Sequence, residues 1–181
     1  SLSSSDHPSP GTWYPSGDVF FSWTFPVADS NVKGVFYVLD HFGTNVPTST
    51  DTFIPLPQKN LLRMGLAAGV WVMHVVAQDQ RGYLTKVAGN LRVNVGADPG
   101  VGVLNGQVVD GGGKPVASAS VTVNRGLYTT TTNAMGSYNF PNQIPAGMWE
   151  IRATSADGLL TDTKSDTVTK GGSTTVNLTL K

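Results

Sequence analysis

Residues 104–151 alternate polar and apolar side chains in short runs separated by glycine, proline and asparagine, and this pattern limits the fold more than any other feature. The runs are Leu104–Asp110, Ser118–Val123, Thr129–Phe140 and Ile144–Ile151, with Gly111–Ala117 between the first two. A period of two with such punctuation specifies short antiparallel strands joined by tight turns. Within it, Val121 and Val123 face inward, and Ser120 and Thr122 face solvent. Asn133–Gly136 reads as a turn in which Gly136 takes the positive φ, and Pro145–Gly147 turns the chain into a strand at Trp149–Ala153. A stretch of this kind presents surfaces and contains no set of residues that could run a reaction.

The rest of the chain obeys the same rule. No segment keeps an i, i+3, i+4 apolar stripe over three turns, and β-branched residues and glycine dominate. In the first half strands are expected near Val19–Phe25, Gly34–Leu39, Asp51–Ile54, Val70–Asp79 and Leu91–Val95. Lys59–Ala68 allows either a helical turn or a strand followed by a turn at Gly69. Along Val70–Asp79, Trp71, Met73, Val75 and Ala77 share one face, and Val72, His74, Val76 and Gln78 share the other. Both faces are largely apolar, which predicts a central strand covered on both sides. Strands at this spacing make a β-sandwich. Ala97–Val101 contains a Pro-Gly pair and marks the boundary, too short for independent tumbling. The expected architecture is therefore all-β, two tandem antiparallel β-sandwiches, residues 1–98 and 99–181.

Composition excludes several function classes. Of 181 residues, twelve are basic and twelve acidic, and only 13% are charged, so nucleic acid and anionic membranes find no electrostatic footprint. Zero net charge also weakens repulsion between copies, which favours self-association. Cysteine is absent, which removes disulfides, thiolate metal sites and thiol nucleophiles. No run of about 18 apolar residues is present to span a membrane. Ser1–Asp6 reads as a processed or trimmed start with no signal peptide in view.

Asp6–Pro10, Trp13-Tyr14, Val19–Trp23, Gly34–Leu39 and Gly69–Asp79 together resemble the fibronectin type III and related immunoglobulin-like modules of bacterial surface proteins, over roughly residues 6–95. Residues 102–181 resemble a carboxypeptidase regulatory-like domain, the transthyretin-like seven-strand sandwich. Its carriers are Gly106–Asp110, Gly113–Ala117, Ala119–Val123, Thr132–Tyr138, Ile144–Gly147 and Thr174–Leu180. Both resemblances imply an exported, extracellular or cell-surface bacterial protein. The related collagen-adhesin B-type repeats carry a Lys–Asn isopeptide bond, which needs a first-strand lysine, an acidic catalyst and a last-strand asparagine. Here the first strand, Val103–Val109, has no lysine, and Ala153 stands where the acid is expected. Asn177 alone does not suffice, so no cross-link is expected.

Candidate sites are few. His7, His41 and His74 lack metal-type spacing, and His74 reads as a hydrogen-bonded structural residue. Asp40-His41 resembles half of an acid–base pair, but no serine in a Gly-x-Ser-x-Gly elbow accompanies it. Asp6, Asp40, Asp51 and Asp79 are candidate calcium ligands by chemistry and turn residues by preference. Gly111–Lys114 is a hairpin loop, not a phosphate cradle. Trp23, Trp71 and Trp149 read as core; Trp13 and Tyr14, beside Pro15, are the possible surface-binding pair. No catalytic, cofactor-binding or metal residue is assigned, and no cofactor is expected.

The expected function is a non-catalytic structural or interaction module: a spacer, adhesive surface or filament subunit. Its partners would be other surface proteins or its own copies, through edge-to-edge or donor-strand contacts at Thr129–Thr132. The termini Ser1–Asp6 and Val176–Lys181 read as loose ends where strand exchange would begin. The alternative is a carbohydrate-binding or substrate-positioning accessory domain of a secreted hydrolase, with Trp13 and Tyr14 stacking on sugar.

Overall fold

In the computed structural model, which describes residues 1–25 and 31–181, every regular element is a strand among the described residues. The chain divides into two compact units, Ser1–Asp98 and Pro99–Lys181. The tandem β-sandwich architecture is the one that the alternation predicts.

The first unit holds β1 (Leu2–Ser4), β2 (Trp13–Tyr14), β3 (Val19–Trp23), β4 (Val32–Asp40), β5 (Thr52–Pro55), β6 (Asn60–Arg63), β7 (Gly69–Asp79) and β8 (Gly89–Val95). One sheet has the order β1-β3-β6, and the facing one β2-β8-β7-β4-β5. The run expected to be central is central: β7 lies between β8 and β4, with Met73 and Val76 fully buried on opposite faces. Met73 and Val75 join Val19, Phe21, Trp23, Val35, Ile54, Val93 and Val95 in the core between the sheets, and Trp71 and Ala77 pack against it. Burying a side chain such as Phe21 contributes about 1.5–3 kcal/mol. Lys59–Ala68 is resolved in favour of strand plus turn, since Asn60–Arg63 pairs with Val19–Ser22.

The second unit holds β9 (Val101–Val109), β10 (Ser120–Val123), β11 (Tyr128–Thr131), β12 (Ser137–Pro145), β13 (Gly147–Thr154), β14 (Thr161–Val168), β15 (Ser173–Thr175) and β16 (Leu178–Thr179). Its sheets are β11-β10-β13-β14 and β12-β9-β15, with β16 also on β9. Leu104, Val108, Val121, Val123, Ile144, Ile151, Ala153 and Leu178 are fully buried between them. Ala153 thus offers the core a methyl group. The turn at Asn133–Gly136 forms as expected: Gly136 has φ of 69°, and Asn133 Oδ1 accepts from the N–H groups of Met135 and Ser137.

Two expectations need correction. The sandwiches are not purely antiparallel, because β2 runs parallel to β8, and β15 and β16 run parallel to β9. The termini are not loose. Leu2–Ser4 pairs with Phe21–Trp23, and the Ser1 ammonium donates to Thr24 O at 2.8 Å. At the other end Val176, Leu178 and Leu180 are buried. Their alternation gives the last segment one apolar face, and the sandwich covers it. Strand exchange from either end would first have to extract paired or core residues.

β15 and β16 are one strand interrupted at Val176-Asn177. The break lies beside Gly106, where an added Cβ would fall 1.9 Å from Val176 O. Asn177 repairs the ladder with its side chain, Oδ1 accepting from Gln107 N–H at 2.9 Å. That interaction gives Asn177 a structural role.

Candidate interaction surface

The polar groups that might carry chemistry are tied to the backbone instead. His7 is buried, with Nδ1 3.1 Å from Asp6 Oδ1 and Nε2 3.2 Å from Ser16 O. The Ser4 hydroxyl donates to Asp6 at 2.6 Å, and Phe20 N–H donates to both carboxylate oxygens at 3.1 and 3.0 Å. Ser4, Asp6 and His7 have the residue types of a hydrolase triad in the wrong order of contact. The serine bonds the aspartate, and the outer ring nitrogen faces a carbonyl, so no imidazole nitrogen faces a hydroxyl to be activated. Burial opposes the Asp6 charge, but the hydrogen bonds from Ser4, His7 and Phe20 outweigh it and hold the carboxyl below its ordinary range.

His74, fully buried, lies between Asn90 Oδ1 at 2.9 Å and the oxygens of Asp40 and Phe42 at 3.2 and 3.1 Å. The structural reading of His74 is the one its contacts support. Asp40 is thereby engaged with His74 rather than with its sequence neighbour His41, whose Nδ1 is 2.6 Å from Val70 O and whose ring packs on Trp71 at 4.0 Å. Asp51 accepts from Thr48 N–H, and Asp79 from the N–H groups of Arg81 and Tyr83. These are turn-closing contacts. The four aspartates stand at separate places in the unit; among the described residues no three metal-ligating side chains converge.

Trp13 and Tyr14 are half-buried neighbours on β2. Successive strand residues point to opposite faces, so the two rings do not form one flat platform. The Tyr14 ring packs on His7 at 4.6 Å, and its hydroxyl accepts from Ser9 N–H.

The edges at β14, β12, β11 and β6 are blunted in the ways that discourage pairing. The β13–β14 ladder turns the N–H groups of Thr163 and Thr167 outward, where Asp162 and Asp166 carboxylates accept from them at 2.9 and 2.7 Å. β12 contains Pro141 and ends at Pro145, and its register shifts between Phe140 and Ile144. β11, the Thr-rich edge, is only four residues long. β6 is equally short, and Gln58 Nε2 takes the Asn60 carbonyl.

Part of the exposed apolar surface borders an opening. One end of the first sandwich opens into a cavity of about 190 Å³ walled by Leu2, Trp23, Phe25, Val75, Ala77 and Val87. Beside it, sharing Phe25, Ala77 and Thr85, is a groove of about 400 Å³ that reaches Tyr83 and Leu84. Tyr83 and Val87 on this rim are 72% and 79% exposed. Trp23 is 4% exposed, and its Nε1–H has no hydrogen-bond partner. Sequence reasoning placed Trp23 in the core and missed the opening, because Tyr83 and Val87 are single apolar residues in a polar turn.

Comparison with known proteins agrees with the reading of the second half: residues 103–181 match the carboxypeptidase regulatory-like domain family. The C-terminal unit is a carboxypeptidase regulatory-like domain. No curated protein matches the chain in sequence. Among solved structures, the chain is similar to the Bacillus anthracis TIE protein at 14% identity and a TM-score of 0.37, over 99% of this chain and 40% of that one. It is also similar to BcpA, the major pilin subunit of Bacillus cereus, at 11% identity and a TM-score of 0.35, over 100% and 70% of the two chains. For the fibronectin(III)-like modules of Clostridium thermocellum CbhA the values are 16%, 0.35, and 95% of each chain. The chain spans less than half the length of the TIE protein.

Proposed function

We propose that this chain is a non-catalytic structural and interaction module of an extracellular or cell-surface assembly, working through protein–protein contacts. The observation that carries the reading is the use of the histidine and aspartate side chains: His7, His41, His74, Asp6, Asp40, Asp51 and Asp79 all close turns or fasten strands to backbone groups. A site for chemistry needs a nucleophile, a base and room for substrate among such groups. What is offered to solvent instead is apolar: the opening rimmed by Tyr83 and Val87. Exposed apolar side chains beside a preformed opening suit a protein contact.

Immunolabelling of native material tests the reading. Label on the exterior of cells or on repeating appendages is the expected result. Label confined to the cell interior would contradict it. The accessory-domain alternative requires Trp13 to contact sugar, and a Trp13→Ala variant with unchanged glycan binding would end it.

A further inference from the structure

We propose that the polar groove at the edge of the first sandwich, between the β4–β5 pair and the end of β6, binds a hexuronic acid unit of an acidic polysaccharide. Arg63 holds the sugar carboxylate and Asp51 takes its hydroxyls. The inference is independent of the protein-contact reading, which rests on a different opening, and of the pair Trp13 and Tyr14.

The groove has a volume of about 470 Å³, and Tyr37, Leu39, Asp51, Thr52 and Arg63 stand in its walls. Strand register explains how these side chains come to face one another. Arg63 is paired with Val19, which belongs to the core between the sheets, and directly opposite residues share a face. Arg63 therefore stands on the inner face of its sheet, at the last position of β6. Across the gap, Thr52 is paired with Tyr37, and Tyr37 packs against the same core. Thr52, the first residue of β5, thus stands on the inner face of the other sheet. An arginine, a tyrosine and a threonine occupy inward positions that a sandwich normally fills with apolar side chains. Function is expected where a sequence departs from its own pattern in this way.

These groups are also unspent. Thr48 donates its N–H and its hydroxyl to Asp51 Oδ2, at 2.7 and 3.0 Å, and Asp51 N–H donates to Thr48 O at 3.2 Å. The carboxylate is fixed by one oxygen, and Oδ1 is left to accept from a ligand. Among the described residues, the Arg63 guanidinium and the hydroxyls of Tyr37 and Thr52 have no hydrogen-bond or ion-pair partner.

The donor and acceptor set selects the ligand. A guanidinium offers a planar fork that matches one carboxylate. The fixed Asp51 carboxylate accepts only, so it calls for a hydroxyl and repels a second negative group, while the Tyr37 and Thr52 hydroxyls can donate or accept. One carboxylate and several hydroxyls on a small rigid frame describe a hexuronic acid. A run of acidic side chains brings a second negative charge to Asp51, and a neutral sugar leaves Arg63 without its partner. A cavity of about 150 Å³ admits benzene, so 470 Å³ holds a sugar ring with its substituents.

Amide chemical-shift titration of the isotope-labelled full-length chain tests this. The probes, at millimolar concentration, are oligogalacturonate and oligoglucuronate, their methyl esters, and an oligoglutamate peptide. Saturating shifts are expected with a uronate at residues 37–39, 50–52 and 61–64, and none with the peptide. Esterification removes the charge and keeps the hydroxyls, and should weaken binding about tenfold. Arg63→Gln, at an exposed position, should lose the same factor with the acid and no longer distinguish acid from ester. Asp51→Asn should weaken both forms severalfold. Absence of saturable binding by either uronate would overturn the inference. So would equal binding of the peptide, an Arg63→Gln variant that still prefers the acid, or binding that Trp13→Ala weakens and Arg63→Gln does not.

Discussion

The hydroxyl of Tyr138 donates to the carbonyl of Val176 at 2.6 Å, fastening β12 to the last strand segment across the interior of the second sandwich. Tyr138 is 4% exposed, and its bond lies where the C-terminal strand breaks between β15 and β16. The relationship explains why the chain's end is held as core.

Tyr138→Phe should therefore destabilise the chain by about 1–3 kcal/mol, the usual cost of leaving a buried carbonyl unpaired. Burial, aided by the Asp166 carboxylate, pushes the phenol above its ordinary value of 10.0. A group raised on folding contributes stability below its unfolded value and loses it as pH rises through the folded one. Wild-type stability should fall above pH 10 by this route, and the phenylalanine variant should lack that component. Urea melts at pH 8 and pH 11 check both statements.

Gly106 is fixed by space. An added Cβ would meet Val176 O at 1.9 Å and its carbonyl carbon at 2.7 Å, whereas at Gly111 nothing lies within 4 Å. Gly106→Ala should cost about 1–3 kcal/mol, as overpacking of a rigid site does. Gly111→Ala in the hairpin loop should change stability by less than about 0.5 kcal/mol. Thermal unfolding of the pair compares them directly.

Asp6 ties the N-terminal segment to β3, and its carboxyl is held below the ordinary value of 3.8. A carboxyl lowered on folding contributes stability above its unfolded value, and that contribution is lost as pH falls through the lower folded one. Asp6→Asn should thus be less stable than wild type near pH 6, and the two melting curves should converge below about pH 3. The side chain is 39% exposed, so solvent screening keeps the difference modest. Melting temperatures at pH 2.5, 4 and 6 measure it.

The period-two signal made most strands legible. Val70–Asp79 declared both of its buried faces, and the hairpins of 104–151 declared their turns. The same signal was present in Val176, Leu178 and Leu180, but the position of that run at the end of the chain suggested a loose tail. β14 was not legible, because Thr161–Thr167 contains no apolar residue to alternate; its strand character comes from pairing with β13. β2 is two residues long, too short for any period to appear. The roles of Asp162 and Asp166 in capping their own edge depend on the ladder's register, which tertiary structure sets. The opening beside Trp23 is likewise a property of assembled sheets: its walls come from residues 2, 23, 25, 75, 77 and 87.

The central claim is that this chain makes its contacts through the apolar opening of its first sandwich, not through the β6 and β11 edges. Hydrogen exchange on the full-length chain, compared between dilute and concentrated solution, tests it most directly. The account predicts protection gained at residues 83–89, with the β6 and β11 edges unchanged. Protection gained along Asn60–Arg63 or Tyr128–Thr131, with the opening unaffected, would contradict it.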